Sequence, residues 1–194
     1  MAPPGPNVFE RIERFAARPA ALATMAIWGA AEAVALPVVP DVGLCLLAFA
    51  APRQAARLFA AVLVGAVAGT LILASLTAVA PDAVRAMIVA LPGIDGAMIA
   101  EANGQLQRDG VVGFVQFGVG PPLKVYSTEW LALGGDVPGL VVGAVVNRLT
   151  RIGPVLLVAA AAGLPVASGI RRRSGAMLAA YAAVWIALYA VLWT

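Results

Sequence analysis

From Ala26 to Phe49 the chain reads AIWGAAEAVALPVVPDVGLCLLAF, apolar enough to enter a bilayer yet interrupted by Glu32, Pro37, Pro40 and Asp41. A carboxylate at the bilayer centre costs roughly 2.5–3.5 kcal/mol on insertion scales, so two of them have to be sheltered. On a straight helix, at about 100° per residue, Glu32 and Asp41 fall on opposite faces and one of them meets lipid. Pro37 and Pro40 remove two backbone donors and break the helix between the acids. A re-entrant hairpin with its tip at these prolines would let both acids face one protein-lined cavity. Irregular backbone is tolerated at that depth only when buried in protein or lining water. The alternative is an ordinary span, kinked at the prolines, with a structurally paired acid.

Composition says which class of protein this stretch belongs to. Hydrophobic residues make up 62% and charged residues 12% of the 194, against about 45–50% and about 25% in a soluble domain. The shortage of charge points to an integral membrane protein. At about 20 residues per spanning helix there is room for about four to six hydrophobic elements. The net charge of +3 comes from short basic runs beside apolar segments, which read as topology signals and not as a nucleic-acid footprint. Cys45 is the single cysteine and there is no histidine. These counts exclude an intrachain disulfide, a thiolate or histidine metal site and Ser-His-Asp chemistry within this chain. No metal or cofactor is expected, and against an intramembrane enzyme such as a lipid phosphatase stand the missing histidine and the absence of a compact nucleophile–base arrangement.

Ahead of the broken stretch, Val8, Ile12 and Phe15 alternate with Glu10, Arg11, Glu13 and Arg14. That pattern predicts an interfacial helix and not a cleaved signal sequence. After it comes a polar bridge with Arg53 and Arg57, then a charge-free run from Ala60 to Ala80. Gly65 and Gly69 in that run form a small-xxx-small packing face. Residues 82 to 109 are the most polar part of the chain. Ile94, Met98, Ala102 and Leu106 recur there every four residues, which predicts a helix lying on the surface. Val111 to Gly135 repeats the opening anomaly: an apolar arm, Pro121 and Pro122, then Lys124, then a second arm carrying Glu129. Pro138 to Pro165 is a long apolar run broken by Asn147, Arg148 and Arg151. The Arg171–Arg173 triplet follows, and Ala176 to Trp193 make a last span with interfacial Trp and Tyr.

One topology satisfies every basic cluster. With Arg11, Arg14, Arg18, Arg53, Arg57 and Arg171–Arg173 cytoplasmic, the first hairpin enters and returns on that side. The 60–80 span crosses outward, the acidic 82–109 segment lies outside, the second hairpin dips back, and 139–166 crosses inward. A full span across the first broken stretch would leave Arg53 and Arg57 outside. The expected fold is all-α and integral to the membrane: two re-entrant hairpins plus spanning helices in an inverted repeat, with one extra C-terminal span. Such broken, inverted repeats are common in secondary carriers. The chain divides into an interfacial segment (1–19), a membrane domain (20–166) and a basic loop with a C-terminal helix (167–194).

Taken together, these residues resemble the DedA / VTT-domain family, also called SNARE-associated Golgi proteins. The likeness rests on Glu32, Pro37, Pro40 and Asp41, on Gly65 and Gly69, and on Gly110 and Gly113. It continues through Pro121, Pro122 and Lys124, Gly134 and Gly135, then Arg148 and Arg151. It covers about residues 20 to 165 and is closest to the short YqaA-like branch, with its Pro-x-Lys element. Two features depart from larger members: Asp41 follows Pro40 directly, and Lys124 stands where many have arginine. The resemblance implies scramblase- or flippase-like movement of membrane lipids or a lipid-linked phosphate such as undecaprenyl phosphate. It also implies a bacterial inner (plasma) membrane, with the N-terminus cytoplasmic.

The residues themselves leave two roles open for each charged group. Glu32 and Asp41 could exchange protons and couple transport, or pair statically with Lys124, Arg148 or Arg151. Arg148 and Arg151, three apart on one helix face, suit a phosphate, with Asn147 adding hydrogen bonds. Internal pairing is the alternative. Lys124 could receive an anionic headgroup or snorkel to the interface, with Glu129 neutralising it. Trp28 and Trp130 read as packing or interface anchors. A small-solute carrier or a non-transporting assembly protein would fit the same composition.

Overall fold

The computed structural model describes residues 7–117, 120–170 and 174–192, and over these it is helical, without strands. Two helices are long and apolar enough to cross a membrane, Pro52–Val79 and Val137–Gly163. They correspond to the runs expected at 60–80 and 138–165.

Helix α1 (Val8–Ala16) opens on a capping box: the Asn7 side chain accepts from Glu10 N while Glu10 reaches back to Asn7 N. Helix α2 (Pro19–Val34) ends before the prolines, and α3 (Asp41–Ala50) begins after them. The break therefore falls between the two acids, where Pro37 and Pro40 withhold backbone donors. Asp41 occupies the first turn of α3, where the helix dipole favours a carboxylate. The chain doubles back at this point, because Met25 and Trp28 of α2 lie against Gly43 of α3. Fifteen residues of straight helix would hold Trp28 and Gly43 about 22 Å apart.

Helix α4 (Ala55–Val79) packs on α2 along its glycines. A methyl group added at Gly65 would overlap the carbonyl of Ala26, and one at Gly69 the carbonyl of Ala30. Four residues' advance on α4 thus matches four on α2, so the two helices run parallel with backbones touching, as the small-xxx-small spacing predicts. Parallel α2 and α4, connected in sequence by the returning α3, bring Arg18 and Arg53 to one end. Ala17, Ala51, Arg53 and Gly163 line a single groove there. The Arg171–Arg173 triplet and Trp193 lie outside the described residues.

In the second half the helix expected in the polar segment is present, and the structure specifies how it packs. Helices α5 (Pro81–Val89) and α6 (Gly96–Asp109) occupy the polar 82–109 segment. The Ile94–Leu106 stripe turns inward: Ala102 and Leu106 are buried with Phe114, Tyr126 and Leu140. Its charged face, with Glu101, Arg108 and Asp109, stays exposed. The helix keeps a surface position and packs through its apolar stripe, while buried Tyr126 and Glu129 offer its polar residues partners. Tyr126 donates to Gln105, and Asn103 Nδ2 donates to Glu129 at 2.7 Å. The described part of the second arm, 111–117, is not an α-helix. Gly110, at φ +57°, turns the chain into a short 3-10 segment (Gly110–Phe114), and α7 (Leu123–Ala132) starts after Pro121 and Pro122. Helix α6 takes the place of that arm and runs antiparallel to α7.

Helix α8 (Val137–Ile170) spans both halves, and α9 (Ser174–Leu192) contributes a shorter apolar segment, Leu178–Ala187. Two large apolar clusters result, beside a small one around Phe9 and Ala50. One gathers Leu73, Phe114, Leu123, Tyr126 and Leu140; the other gathers Met25, Leu44, Leu58, Val62 and Ile152. Glu32 lies between Met25 and Ala33, and Arg148 between Ala144 and Ile152, so the charged residues form a layer where the clusters meet. Close packing of α2 on α4 sets that geometry. Gly65→Ala is expected to destabilise the purified protein by about 1–3 kcal/mol through overpacking. Gly153→Ala, with nothing within 4 Å of the new methyl, should be neutral or slightly stabilising, and thermal unfolding in detergent compares the two.

Candidate functional site

Glu32 sits in the last full turn of α2 and is completely buried, as is Arg148 of α8. The Arg148 guanidinium donates through Nη2 to Glu32 Oε2. Lys124, in the first turn of α7, approaches the other carboxylate oxygen, with Nζ 3.7 Å from Oε1. A carboxylate that has lost its water is thereby held between two cations from two other helices, the condition under which a buried charge is tolerated.

Lys124 also ties the two proline-bearing turns together. Its Nζ donates to the Leu36 carbonyl at 2.9 Å. In a continuous helix that carbonyl would accept from residue 40, and Pro40 has no N–H to give. The ammonium from the second turn replaces the donor missing from the first. Trp28 Nε1 donates to Val38 O at 2.9 Å and closes the same turn from the α2 side. On the second turn, Asn147 Nδ2 donates to Phe114 O at 3.0 Å. The Asn147 amide nitrogen thus answers a backbone carbonyl, while its Oδ1 is buried without a hydrogen-bond partner.

In front of this layer lies a cavity of about 280 Å³, whose lining includes Glu32, Asp41, Lys124, Arg151, Pro37 and Pro122. The sequence expectation that both acids face one cavity holds geometrically. Pro40 caps α3 and Pro121 is buried beside Pro122. Arg148 and Arg151 share a helix face but divide the work. Arg148 is locked behind the cavity, and half-buried Arg151 faces into it. Asp41 lies within electrostatic reach of Arg151. Asp41 Oδ1, Arg151 Nη1 and the Nε and Nη1 of Arg148 are buried without a hydrogen-bond partner. Around the cavity, Lys124, Arg148 and Arg151 stand against Glu32 and Asp41, a formal excess of one positive charge with guanidinium donors to spare.

Glu129 does not neutralise Lys124. It pairs with Arg85 at 3.5 Å and accepts from Asn103. Five residues along a helix turn a side chain about 140° away, so Lys124 and Glu129 face opposite sides of α7.

Helix α9 supplies residues that sequence reading passed over. Trp185 and Tyr189 line the cavity. Tyr189 Oη accepts from Val39 N at 2.8 Å, and Tyr181 Oη donates to Val42 O at 2.5 Å. The three aromatics stack at 6.3 and 6.1 Å between centroids. Their four-residue spacing was visible in the sequence, but the same spacing describes a lipid-facing interfacial belt.

Arg148→Ala should destabilise the protein by about 3–5 kcal/mol, because it leaves Glu32 buried with only the longer Lys124 contact. Adding Glu32→Gln to that variant should recover part of the loss, and denaturant unfolding of the two singles and the double measures the coupling. No family model, curated protein or solved structure matches the chain.

Proposed function

We propose that this chain moves the phosphate-bearing headgroup of a lipid, or of a polyprenyl phosphate, across the bilayer in the manner of a scramblase or flippase. The observation that carries the reading is the surplus of cationic donors around a cavity lined by both proline turns. An unpartnered guanidinium N–H at that depth is costly unless an anion or water comes to it, and a guanidinium fork matches phosphate oxygens. At about 280 Å³ the space suits a headgroup, below the range of about 300–1,000 Å³ usual for whole drug-sized ligands. The acyl or prenyl tail would stay in lipid.

On this reading α2–α3 and the α6–α7 pair are re-entrant hairpins dipping from opposite leaflets. The order of features makes them an inverted repeat of the DedA / VTT type. The basic end with Arg18, Arg53 and Arg57 is cytoplasmic. Glu32 and Asp41 are the groups through which protons could couple to transport. On this reading the protein acts as a transporter.

The discriminating variants are at Asp41 and Arg151, which face the cavity without sharing in the Glu32–Arg148 pair. Asp41→Asn and Arg151→Gln are each expected to slow exchange of a fluorescent headgroup-labelled lipid in proteoliposomes by about tenfold or more. That is the scale of one charge-assisted hydrogen bond. Thermal stability should be unchanged, and wild-type exchange in both variants would sink the reading. For topology, cysteines at Ala17 and Arg53 in a Cys45→Ala background should label from one side of intact vesicles, and one at Asp82 from the other.

A further inference from the structure

Helical serines and threonines in this protein mostly answer to their own backbone. Thr24, Ser75, Thr77, Thr128 and Thr150 each donate to the carbonyl one turn back, at 2.7–3.0 Å. Thr70 of α4 and Ser127 of α7 do not. Both are fully buried, and both hydroxyls lack any partner. The same backbone carbonyl is within reach of any helical hydroxyl, so a buried one that turns away is aimed at something else.

Their positions correspond across two helices. Because α2 and α4 run parallel, with Ala30 beside Gly69, Thr70 lies at the level of Glu32. Ser127 is one turn from Lys124, whose Nζ approaches Glu32 Oε1, an oxygen with no hydrogen-bond donor of its own. In the other direction, one turn beyond Thr70 is Ala74 and one turn beyond Ser127 is Leu131. Both line a second, open cleft of about 630 Å³ that also carries Thr77, Thr128, Asp82 and Arg85. This cleft lies at the end of α4 away from Arg53, along the side of α7 that carries Lys124 and one to two turns further on. Thr70 is therefore level with the buried ion pair and Ser127 one turn from it, and each is one turn from the cleft.

We propose that Thr70 and Ser127 hold water between Glu32 and this cleft, forming a proton path from the Glu32 carboxyl to the far end of the molecule. Buried water bridges polar groups that would otherwise be unpaired, and chains of such groups relay protons within membrane proteins. Protonated Glu32 gives its proton to the nearest water oxygen as the carboxyl O–H bond breaks. Each water takes one proton and releases another, and the two hydroxyls accept and donate hydrogen bonds without ionising. The proton leaves into the cleft beside Asp82 and the Arg85–Glu129 pair. The charged groups facing Glu32 are Lys124 from α7 and Arg148 from α8, with Asp41 of α3 and Arg151 of α8 across the cavity. The proposal rests on the reading of Glu32 as a coupling group.

The test uses the full chain in proteoliposomes loaded with a pH-sensitive dye and challenged with a pH step. The double variant Thr70→Val, Ser127→Ala should pass protons about tenfold more slowly than wild type, the effect of a barrier raised by an unmade hydrogen bond. Headgroup exchange without a gradient should be unchanged. Thr70→Ser, which keeps the hydroxyl and loses only a methyl, should restore the wild-type proton rate in the otherwise native chain. Wild-type proton entry in the double variant overturns the proposal, as does Thr70→Ser being no faster than Thr70→Val. If the wild type passes protons in this hydroxyl-dependent way but exchanges no headgroup, the path stands and the lipid reading falls. If the wild type exchanges headgroups but admits no protons, the path falls and the lipid reading stands.

Discussion

The ion pair between Glu32 and Arg148, with Lys124 at its edge, is the interaction on which the remaining geometry depends. It joins α2, α7 and α8 at the level where two apolar clusters meet. A carboxylate or guanidinium alone at this place would be several kcal/mol above its hydrated state, so each is acceptable only because the others are fixed nearby. The requirement runs outward through the fold. Arg148 can reach Glu32 only if α8 passes close to the end of α2, and Lys124 only if α7 begins beside the first proline turn.

Proline chemistry and charge cooperate at that point. A proline in an apolar helix leaves a carbonyl without its donor, and in a bilayer no water is at hand to replace it. Here the ammonium of Lys124 supplies the hydrogen bond that Pro40 cannot, and it approaches the acid with the same group. One cation thus answers two deficits created by one broken helix. Because the answer comes from the other turn, neither turn is complete alone, and the cavity between them is a product of both.

The packing that permits this is made of small residues. Gly65 and Gly69 let α4 touch the backbone of α2, and small residues of this kind permit the closest approach of two helices. The groups left over are buried polar atoms without hydrogen-bond partners, on Glu32, Asp41, Thr70, Ser127, Asn147, Arg148 and Arg151. They fall along the cavity and the layer behind it, while the lipid-type faces satisfy themselves through local helix bonds. The division separates what holds the fold from what remains free to meet an ion, a headgroup or water.

The sequence by itself determined the all-helical build, the two long apolar helices, the break between Glu32 and Asp41 and the glycine face of α4. These follow from local rules: apolar run length, the missing proline donor and residue spacing. It also named the charged residues that meet at the cavity, since an ion in an apolar run has to find a partner somewhere. Only the tertiary structure decided which partner each one found. Lys124 goes to Glu32 and Leu36 while Glu129 goes to Arg85, because five residues of helix turn the two side chains apart. The structure also turned the amphipathic stripe of α6 inward and made α6 the companion of α7. An apolar stripe is indifferent to whether lipid or protein covers it, and the choice was made by the buried Tyr126 and Glu129. For the same reason the aromatics of α9 could be read as an interfacial belt, although Tyr181 and Tyr189 hold the first proline turn. Local sequence fixes which surfaces must be covered; the pairing of those surfaces is a property of the whole chain.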